Sequence, residues 1–384
     1  MRFLKRVSSI ALFLSFSSCG SSTQPGPKSE LREAPDAVNA YQRIGLATKP
    51  YTNVRTSAQV NDPRRYWSGF YWPTYQGGIA QRWQNFIQSE SYADFLYGVA
   101  AFQDYLQLPP EQVKQLSPAE KYDLWLNDPS MGLTRSEQQK VVSTAQKFGD
   151  RVPTWFGICD GWALAASMED EPIKMVRAQS ASGQTIDFYP EDIKALMAYY
   201  YTFAPKQYVA AGGRCNRPTV TKDANGRVIE PECRDINPAT IHLALDRFVG
   251  DASQKLVVDI SRDEMVWNYP IQSYEFQYSN LRPLSDDAAY QHAAPGTQFL
   301  VNVDARVVVV NGVNPTTQLK PQRDYSEKQW RYILELDGNS NIIGGEWITD
   351  DHPDFVWIVR SVGNGSSRVD YRNLSTLAQA SRMF

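Results

Sequence analysis

The sequence predicts an α+β protein: helices in its first half pack on a mainly antiparallel sheet formed by its second half. Apolar residues at helical spacing dominate the helical lobe, at about residues 79–205, beginning with the pattern of residues 79–102. Short runs rich in Val and Ile, separated by turns, dominate the β-rich lobe, at about residues 255–360. Helices and strands that are segregated along the chain, and do not alternate, are typical of α+β folds.

The first residues predict export. A basic start precedes a short apolar run, and Ser17-Ser18-Cys19-Gly20 resembles a bacterial lipobox. The run is shorter than the about 20 apolar residues that a membrane-spanning helix needs. We therefore assign residues 1–19 to a signal peptide. Cys19 is then the lipid-carrying residue of an envelope-anchored protein; without the lipid, the protein is secreted.

Residues 20–62 are rich in Ser, Thr and Pro, which predicts a flexible tether before a folded domain at residues 63–384. The formal net charge of -3 comes without a basic cluster, which argues against nucleic acid as a partner. We expect a monomer that contacts a membrane only through its lipid.

Several local patterns define elements of the helical lobe. The aromatic residues 66–75 are broken by Gly and Pro, which predicts a loop or an edge strand. Residues 117–120 (SPAE) and 134–137 (TRSE) carry the capping-box pattern of a helix start. Further helices are predicted from about Cys159 to Met168 and over residues 190–203.

The β-rich lobe is predicted from apolar runs that are bounded by turn residues. The runs are residues 256–260, 299–303, 307–310, 330–336 and 342–348. Between the last two runs, residues 337–341 (DGNSN) have the composition of a hairpin turn.

The four cysteines sort into different roles. Cys19 belongs to the signal, and Cys215 and Cys233 flank a polar, turn-rich loop that a disulfide would close. Cys159 is then the unpaired thiol, either an inert buried side chain or a reactive group.

The neighbours of Cys159 favour a reactive thiol. In residues 155–166 (WFGICDGWALAA) two glycines bracket Cys159 at the start of an Ala-rich helix. A helix N-terminus lowers the pKa of a thiol and offers N–H donors to a developing oxyanion. The pattern resembles the nucleophile helix of papain-like proteases and transglutaminases; the alternative is a buried cysteine in a closely packed helix.

A cysteine nucleophile needs a base, and the chain has three histidines. We expect His242 to be the base, with Asp259 orienting it, because a carboxylate inside an apolar strand needs a partner. His352, in a polar turn, is the rival base, and His292 has the setting of an exposed loop residue.

These motifs together resemble the oomycete elicitor-type transglutaminase family, whose members also occur in bacteria. The matching stretches cover nearly all of the folded part and are WSGF at 67–70, LSPAEKYD at 116–123, residues 155–163, ECRDINP at 232–238 through His242, VDISRD at 258–263, VWN at 266–268, GGEW at 344–347 and HPDF at 352–355.

The resemblance implies a protein-glutamine γ-glutamyltransferase that joins Gln and Lys side chains of protein or peptide substrates. It assigns Cys159 as nucleophile, His242 as base and Asp259 as orienting acid. Asp160 departs from the His that the family pattern has after the nucleophile, and we expect its carboxylate either to point away from the sulfur or to mark a shifted substrate preference. No cofactor is required by this chemistry. Some transglutaminases need Ca²⁺, but the sequence has no complete Ca²⁺ loop.

Other interpretations of the site remain open. Trp155 could donate its indole N–H to an oxyanion, or Trp155 and Trp162 could form the wall of a groove or part of the core. The same nucleophile would serve a cysteine peptidase or cell-wall amidase, in which water resolves the thioester. A non-enzymatic surface module with an inert Cys159 is the third possibility.

Overall fold

The structure, a computed structural model, describes residues 40–62, 64–83, 89–215, 219–224, 228–249, 255–261, 265–288, 290, 293–320, 322–365 and 367–382. The predicted signal peptide with Cys19, residues 20–39 of the predicted tether, and His292 lie outside the described residues. No helix among the described residues is long and apolar enough to cross a membrane.

The helical part of the chain precedes most of the sheet, as predicted. The helices in this part are α1 (Phe102–Leu106), α2 (Pro110–Val113), α3 (Pro118–Trp125), α4 (Gly132–Lys147), α5 (Cys159–Met168) and α6 (Pro190–Phe203). Helices α5 and α6 begin and end where the sequence predicts. Later in the chain come the shorter α7 (Pro238–Ala244) and the C-terminal α8 (Tyr371–Arg382).

The prediction of a long helix over residues 79–102 is wrong. Gly78–Ala80 and Tyr92–Phe95 are single 3₁₀ turns, and in the described part of this stretch, which leaves out residues 84–88, regular helix begins at α1. The preceding Gly77 is left-handed, with φ of 94°, which interrupts any helix there. Ile79, Trp83 and Phe95 are buried one by one against the core, so their spacing reflects separate contacts with the core.

The two predicted helix caps have different outcomes. Ser117 and Glu120 form the predicted capping box at the start of α3. Thr134 is no cap, because α4 begins earlier, at Gly132. Instead the Asp123 carboxylate accepts the N–H groups of Leu133 and Thr134 from outside the helix, at 3.1 and 2.9 Å. A tertiary contact thus replaces the local cap.

Eight of the described strands form one antiparallel sheet. They are β1 (Ser57–Gln59), β4 (Lys206–Gly212), β5 (Lys255–Asp259), β6 (Asn268–Pro283), β7 (Phe299–Val310), β8 (Tyr325–Leu336), β9 (Ile342–Trp347) and β10 (Phe355–Val362). The order is β4-β10-β5-β6-β7-β8-β9, with β1 added to β6. Strands β2 (Val176–Gln179) and β3 (Thr185–Phe188) form a separate hairpin.

The sheet separates two hydrophobic cores. Successive side chains of a strand point to opposite faces, and in β5 Val257 packs with α5 and α6 whereas Val258 packs with α7. The same alternation holds in β10 for Trp357 and Ile358. We call these sides the α5 face and the α7 face. The α+β prediction is confirmed, with helices covering both sides of the β4-β10-β5 region.

The predicted tether extends too far toward the C-terminus. Tyr41, Ile44 and Val54 are buried on the α7 face, and β1 pairs with β6 through Ser57 and Glu275. The polar composition of this stretch concealed these apolar anchors, so the folded part includes residues well before position 63.

Candidate active site

The aromatic loop at residues 66–75 fixes the chain that enters α5. Ile158 N–H donates to the Tyr71 carbonyl and Thr74 N–H donates to the Phe156 carbonyl, both at 2.7 Å. A Cβ atom on Gly157 would lie 2.3 Å from the Tyr71 oxygen. Only glycine therefore fits at this approach, and the loop fixes the position of Cys159 as the first residue of α5.

The second glycine of the motif serves packing as well. A Cβ atom on Gly161 would lie 2.0 Å from the Ala198 carbonyl oxygen of α6. Both glycines therefore let neighbouring backbones approach each other closely, and thereby position Cys159 on the α5 face.

The Cys159 sulfur faces the start of β6. The Asn268 Nδ2 donates to Cys159 Sγ at 3.4 Å, and the Val266 carbonyl oxygen lies 3.9 Å from the sulfur. Trp357 on β10 donates its indole N–H to Asn268 Oδ1 at 2.8 Å. Cys159, Asn268 and Trp357 are all buried, so the sulfur meets an amide donor and a backbone carbonyl inside an apolar core.

The cysteine predictions are partly corrected. Cys215 and Cys233 form the predicted disulfide. Cys159 is also disulfide-bonded, and none of the described cysteines is a free thiol. The prediction of an unpaired Cys159 is therefore wrong for this structure. Loop composition identified one pairing but carried no information about contacts of Cys159 that depend on the tertiary fold.

Asp259 reaches the sulfur's side of the sheet. It ends β5 and lies directly opposite Asn268 of β6, so the two side chains share the α5 face. Asp259 Oδ1 accepts the Trp267 N–H at 2.8 Å and the Ser261 hydroxyl at 3.1 Å. The predicted orienting acid therefore holds the backbone between Val266 and Asn268, rather than an imidazole.

His242 lies on the α7 face, which contradicts its prediction as the base. Its Nδ1 and Nε2 pair with the hydroxyls of Tyr332 and Tyr278 at 2.8 and 3.0 Å. Positions 268 and 278 of β6 lie roughly 30 Å apart at about 3.3 Å per residue, and the sheet intervenes. Burial lowers the pKa of His242 to about 3. The apolar sequence around it indicated burial but not which face.

His352 is engaged elsewhere too. Its Nε2 lies 2.8 Å from Asp235 Oδ2, its Nδ1 lies 2.8 Å from the Thr349 carbonyl oxygen, and its ring stacks on Trp347. Because both ring nitrogens of His352 have these partners, neither is directed at Cys159. Neither of the two histidines that the structure describes therefore approaches the sulfur with a ring nitrogen.

Asp160 points away from the sheet, as expected. Its Oδ1 accepts the Thr202 hydroxyl of α6 at 3.1 Å. Burial raises the pKa of Asp160 to about 6, against the attraction of Lys206 and the N–H groups of the first turn of α5. The carboxylate therefore uses some of the helix N-terminal donors that the sequence had suggested for an oxyanion.

The two tryptophans of the motif have different positions. Trp155 lies in the wall of a surface cleft with Tyr92, Phe148 and Arg151, and the Arg214 guanidinium lies 5.2 Å from its ring centre. Trp162 is buried and donates its indole N–H to the Trp67 carbonyl at 3.3 Å. Trp162 therefore belongs to the core and not to a groove wall.

Two site residues had no predicted role. Asn268 lies in one of the stretches that resemble the family, and Trp357 lies in the strand that follows His352. The available signal was an amide next to Trp267 at the start of an apolar strand, because a buried amide requires partners. Its contact with Cys159 joins positions far apart in the chain.

No group of three or more His, Cys, Asp or Glu residues within the described ranges is arranged to hold a metal ion. Asp337 accepts the backbone N–H groups of Asn339 and Asn341, and this stretch is the turn between β8 and β9, as predicted. That the reaction requires no cofactor stays a prediction, with Ca²⁺ known from some transglutaminases but supported by no motif in this sequence.

The comparisons with known proteins agree with this fold. The family description "transglutaminase elicitor" matches residues 38–383. Among solved structures, the chain is similar to the GP42 transglutaminase from Phytophthora sojae, with a TM-score of 0.64 and 22% identity, over 90% of this chain and 97% of that chain. At this identity the likeness concerns the fold. No curated protein matches the chain.

Proposed function

The chain belongs to the transglutaminase elicitor family, and on that premise we propose that it is a protein-glutamine γ-glutamyltransferase with Cys159 as nucleophile. The observation that carries the proposal is the position of Cys159 as the first residue of α5 with the Asn268 amide directed at its sulfur. A helix N-terminus and a hydrogen-bond donor both favour the thiolate form. The name of the solved relative, a transglutaminase, agrees with this chemistry.

The reaction proceeds through a thioester. The Cys159 thiolate attacks the side-chain carboxamide of Gln, the carbon–nitrogen bond breaks, and the nitrogen leaves as ammonia after taking up a proton. A Lys amine then attacks the thioester, loses a proton and releases the thiolate, which leaves an isopeptide bond. The reaction requires Cys159 as a free thiolate, so the protein is assayed in its reduced form.

Asp259 has a positioning role in this proposal. It accepts hydrogen bonds from the Trp267 N–H and the Ser261 hydroxyl. It thereby fixes the backbone at Trp267, between the Val266 carbonyl and the Asn268 amide that lie near the sulfur. His242 has no part in the reaction, since the sheet separates it from Cys159. We assign no general base.

Amine incorporation tests the proposal. The reduced protein is incubated with a Gln-containing protein and a fluorescent primary amine, and labelled protein is measured. We expect labelling by the wild type and its loss, by about 10⁴-fold or more, in Cys159→Ala. Cleavage of peptide bonds without labelling would reject the transferase in favour of a cysteine peptidase or amidase.

A non-enzymatic surface module is the second candidate. It is favoured by one specific observation: Cys159 is buried and disulfide-bonded, while His242 and His352 use their ring nitrogens elsewhere. If the reduced wild type and Cys159→Ala both fold, as judged by circular dichroism, and neither incorporates amine nor cleaves peptide bonds, this candidate replaces the transferase. Lipid attachment at Cys19 and export stay proposals that mass spectrometry of the mature N-terminus would test.

A further inference from the structure

The polar neighbours of Cys159 point to a second reactive-site residue. We infer that Asn268 stabilises the Cys159 thiolate through its side-chain N–H, and that Trp357 is the positioning residue that keeps the amide in the donating orientation. The inference rests on the proposed function only in taking the reduced Cys159 as the reacting group.

The orientation of the Asn268 amide follows from its partner on β10. An amide has an accepting oxygen and a donating NH₂ group, and either could face the sulfur. An indole N–H only donates, so it must face the amide oxygen. Trp357 Nε1 lies 2.8 Å from Asn268 Oδ1, which leaves the NH₂ group on the side of Cys159 Sγ, 3.4 Å away.

The fold holds this arrangement rigidly. Asn268 begins β6, Trp357 lies in the middle of β10, and β5 lies between them, with Val257 opposite both Trp357 and Pro270. Asn268 is 0% and Trp357 3% exposed. Both side chains are buried on the α5 face, and their mutual hydrogen bond and the strand pairing fix their relative position.

The electrostatic setting makes a directed donor necessary. A buried thiolate is unstable unless hydrogen bonds or positive charge compensate for lost hydration. Among the charged groups that the structure describes near α5 are Asp259 on β5, Asp160 on α5 itself and Lys206 after α6. The two carboxylates oppose a second negative charge, and Lys206 is directed to Asp160 and to carbonyls of α6. The amide N–H of Asn268 supplies the compensation at the sulfur, where neither His242 nor His352 does.

Titration of the reduced thiol tests the inference without any substrate. After reduction with a phosphine, the ultraviolet absorbance of the thiolate is followed against pH, and the curve of a matching Cys159→Ala protein is subtracted. We expect a Cys159 pKa below the usual value of about 8.5. Asn268→Ala should raise it by about one unit, and Asn268→Asp by more, because a carboxylate would then face the sulfur.

Trp357→Phe provides the second arm, because it removes the N–H that holds the amide but keeps Asn268 and an aromatic ring. We expect a smaller upward shift than in Asn268→Ala. Trp330→Phe, in another buried strand of the same sheet, is the matched control and should leave the Cys159 curve unchanged.

The outcomes separate this inference from the proposed function. An unchanged thiol pKa in both Asn268→Ala and Trp357→Phe, in proteins that melt cooperatively, overturns the inference even if the wild type incorporates amine. A raised thiol pKa in these variants upholds it even if no amine is incorporated. Equal shifts in Trp357→Phe and Trp330→Phe would also reject the positioning role.

Discussion

The two faces of the sheet each bury a side chain of catalytic type, and they treat it differently. On the α5 face the sulfur of Cys159 meets an amide donor whose orientation is locked by Trp357. On the α7 face the imidazole of His242 lies between two tyrosine hydroxyls and stacks on Phe276. The first environment favours an anion, whereas the second holds a neutral ring. Burial alone therefore does not identify a reactive residue; the partners of its polar atoms do.

The largest effect that distinguishes the faces is the response of His242 to acid. The folded protein holds His242 with a pKa of about 3 because of burial, whereas the unfolded chain protonates near 6.5. The free energy of unfolding keeps its full value, with respect to His242, above pH 6.5. It decreases as the pH falls, and the loss reaches about 5 kcal/mol near pH 3. His242→Gln should remove this pH-dependent part, as measured by urea unfolding between pH 7 and 4.

The same variant should leave the α5 face undisturbed. We expect His242→Gln to incorporate amine within about threefold of the wild type at temperatures where it stays folded, which corresponds to less than about 1 kcal/mol of transition-state stabilisation. A loss comparable to that of Cys159→Ala would restore His242 as the base and break the comparison.

The next largest effect lies on the α5 side, at Asp160. Burial raises its pKa to about 6, so the folded state holds a proton that the unfolded chain releases near 3.8. The contribution of Asp160 to the free energy of unfolding is fully present below about pH 4. It falls by about 3 kcal/mol as the pH rises from about 4 to 6. Asp160→Asn should therefore be more stable than the wild type at pH 7, with the difference in unfolding free energy vanishing near pH 4. A difference that does not change with pH would contradict this account.

The smallest effect concerns the tyrosine partners of His242. Tyr332→Phe removes the hydroxyl that pairs with His242 Nδ1. Because the buried Nδ1 then loses this hydrogen bond, the free energy of unfolding should fall by about 1 to 2 kcal/mol. Tyr208→Phe, at an exposed position of β4, is the matched control and should change stability by less than about 0.5 kcal/mol. Equal costs in the two variants would show that the hydrogen bond at His242 contributes nothing.

Features that depend on neighbouring residues could be predicted well. Cys159–Met168 and Pro190–Phe203 form the predicted helices, and Ser117 forms the predicted cap. These succeed because apolar spacing and end residues act within a few positions of the chain. The helix over residues 79–102 failed because its apolar residues make separate contacts with a core that the pattern does not describe.

The position of Cys159 at the start of a helix was predicted, but the side chains beside it were not. Asp259 came to the sulfur's side of the sheet because β5 and β6 pair in a register that sets it opposite Asn268. His242 did not, because α7 packs on the other face of that sheet. A register shift in β6 between Ile271 and Ser273 also turns the later side chains of β6, including Phe276, to the α7 face.

The sequence by itself determined the α+β class, the helix that begins at Cys159 and the pairing of Cys215 with Cys233, because each depends on local composition and spacing. Only the tertiary structure decided that Asn268, held by Trp357, contacts the sulfur and that His242 does not. Strand order, register and the choice of sheet face arise from pairing between distant segments, and side-chain alternation converts each of them into a choice between opposite sides of the molecule.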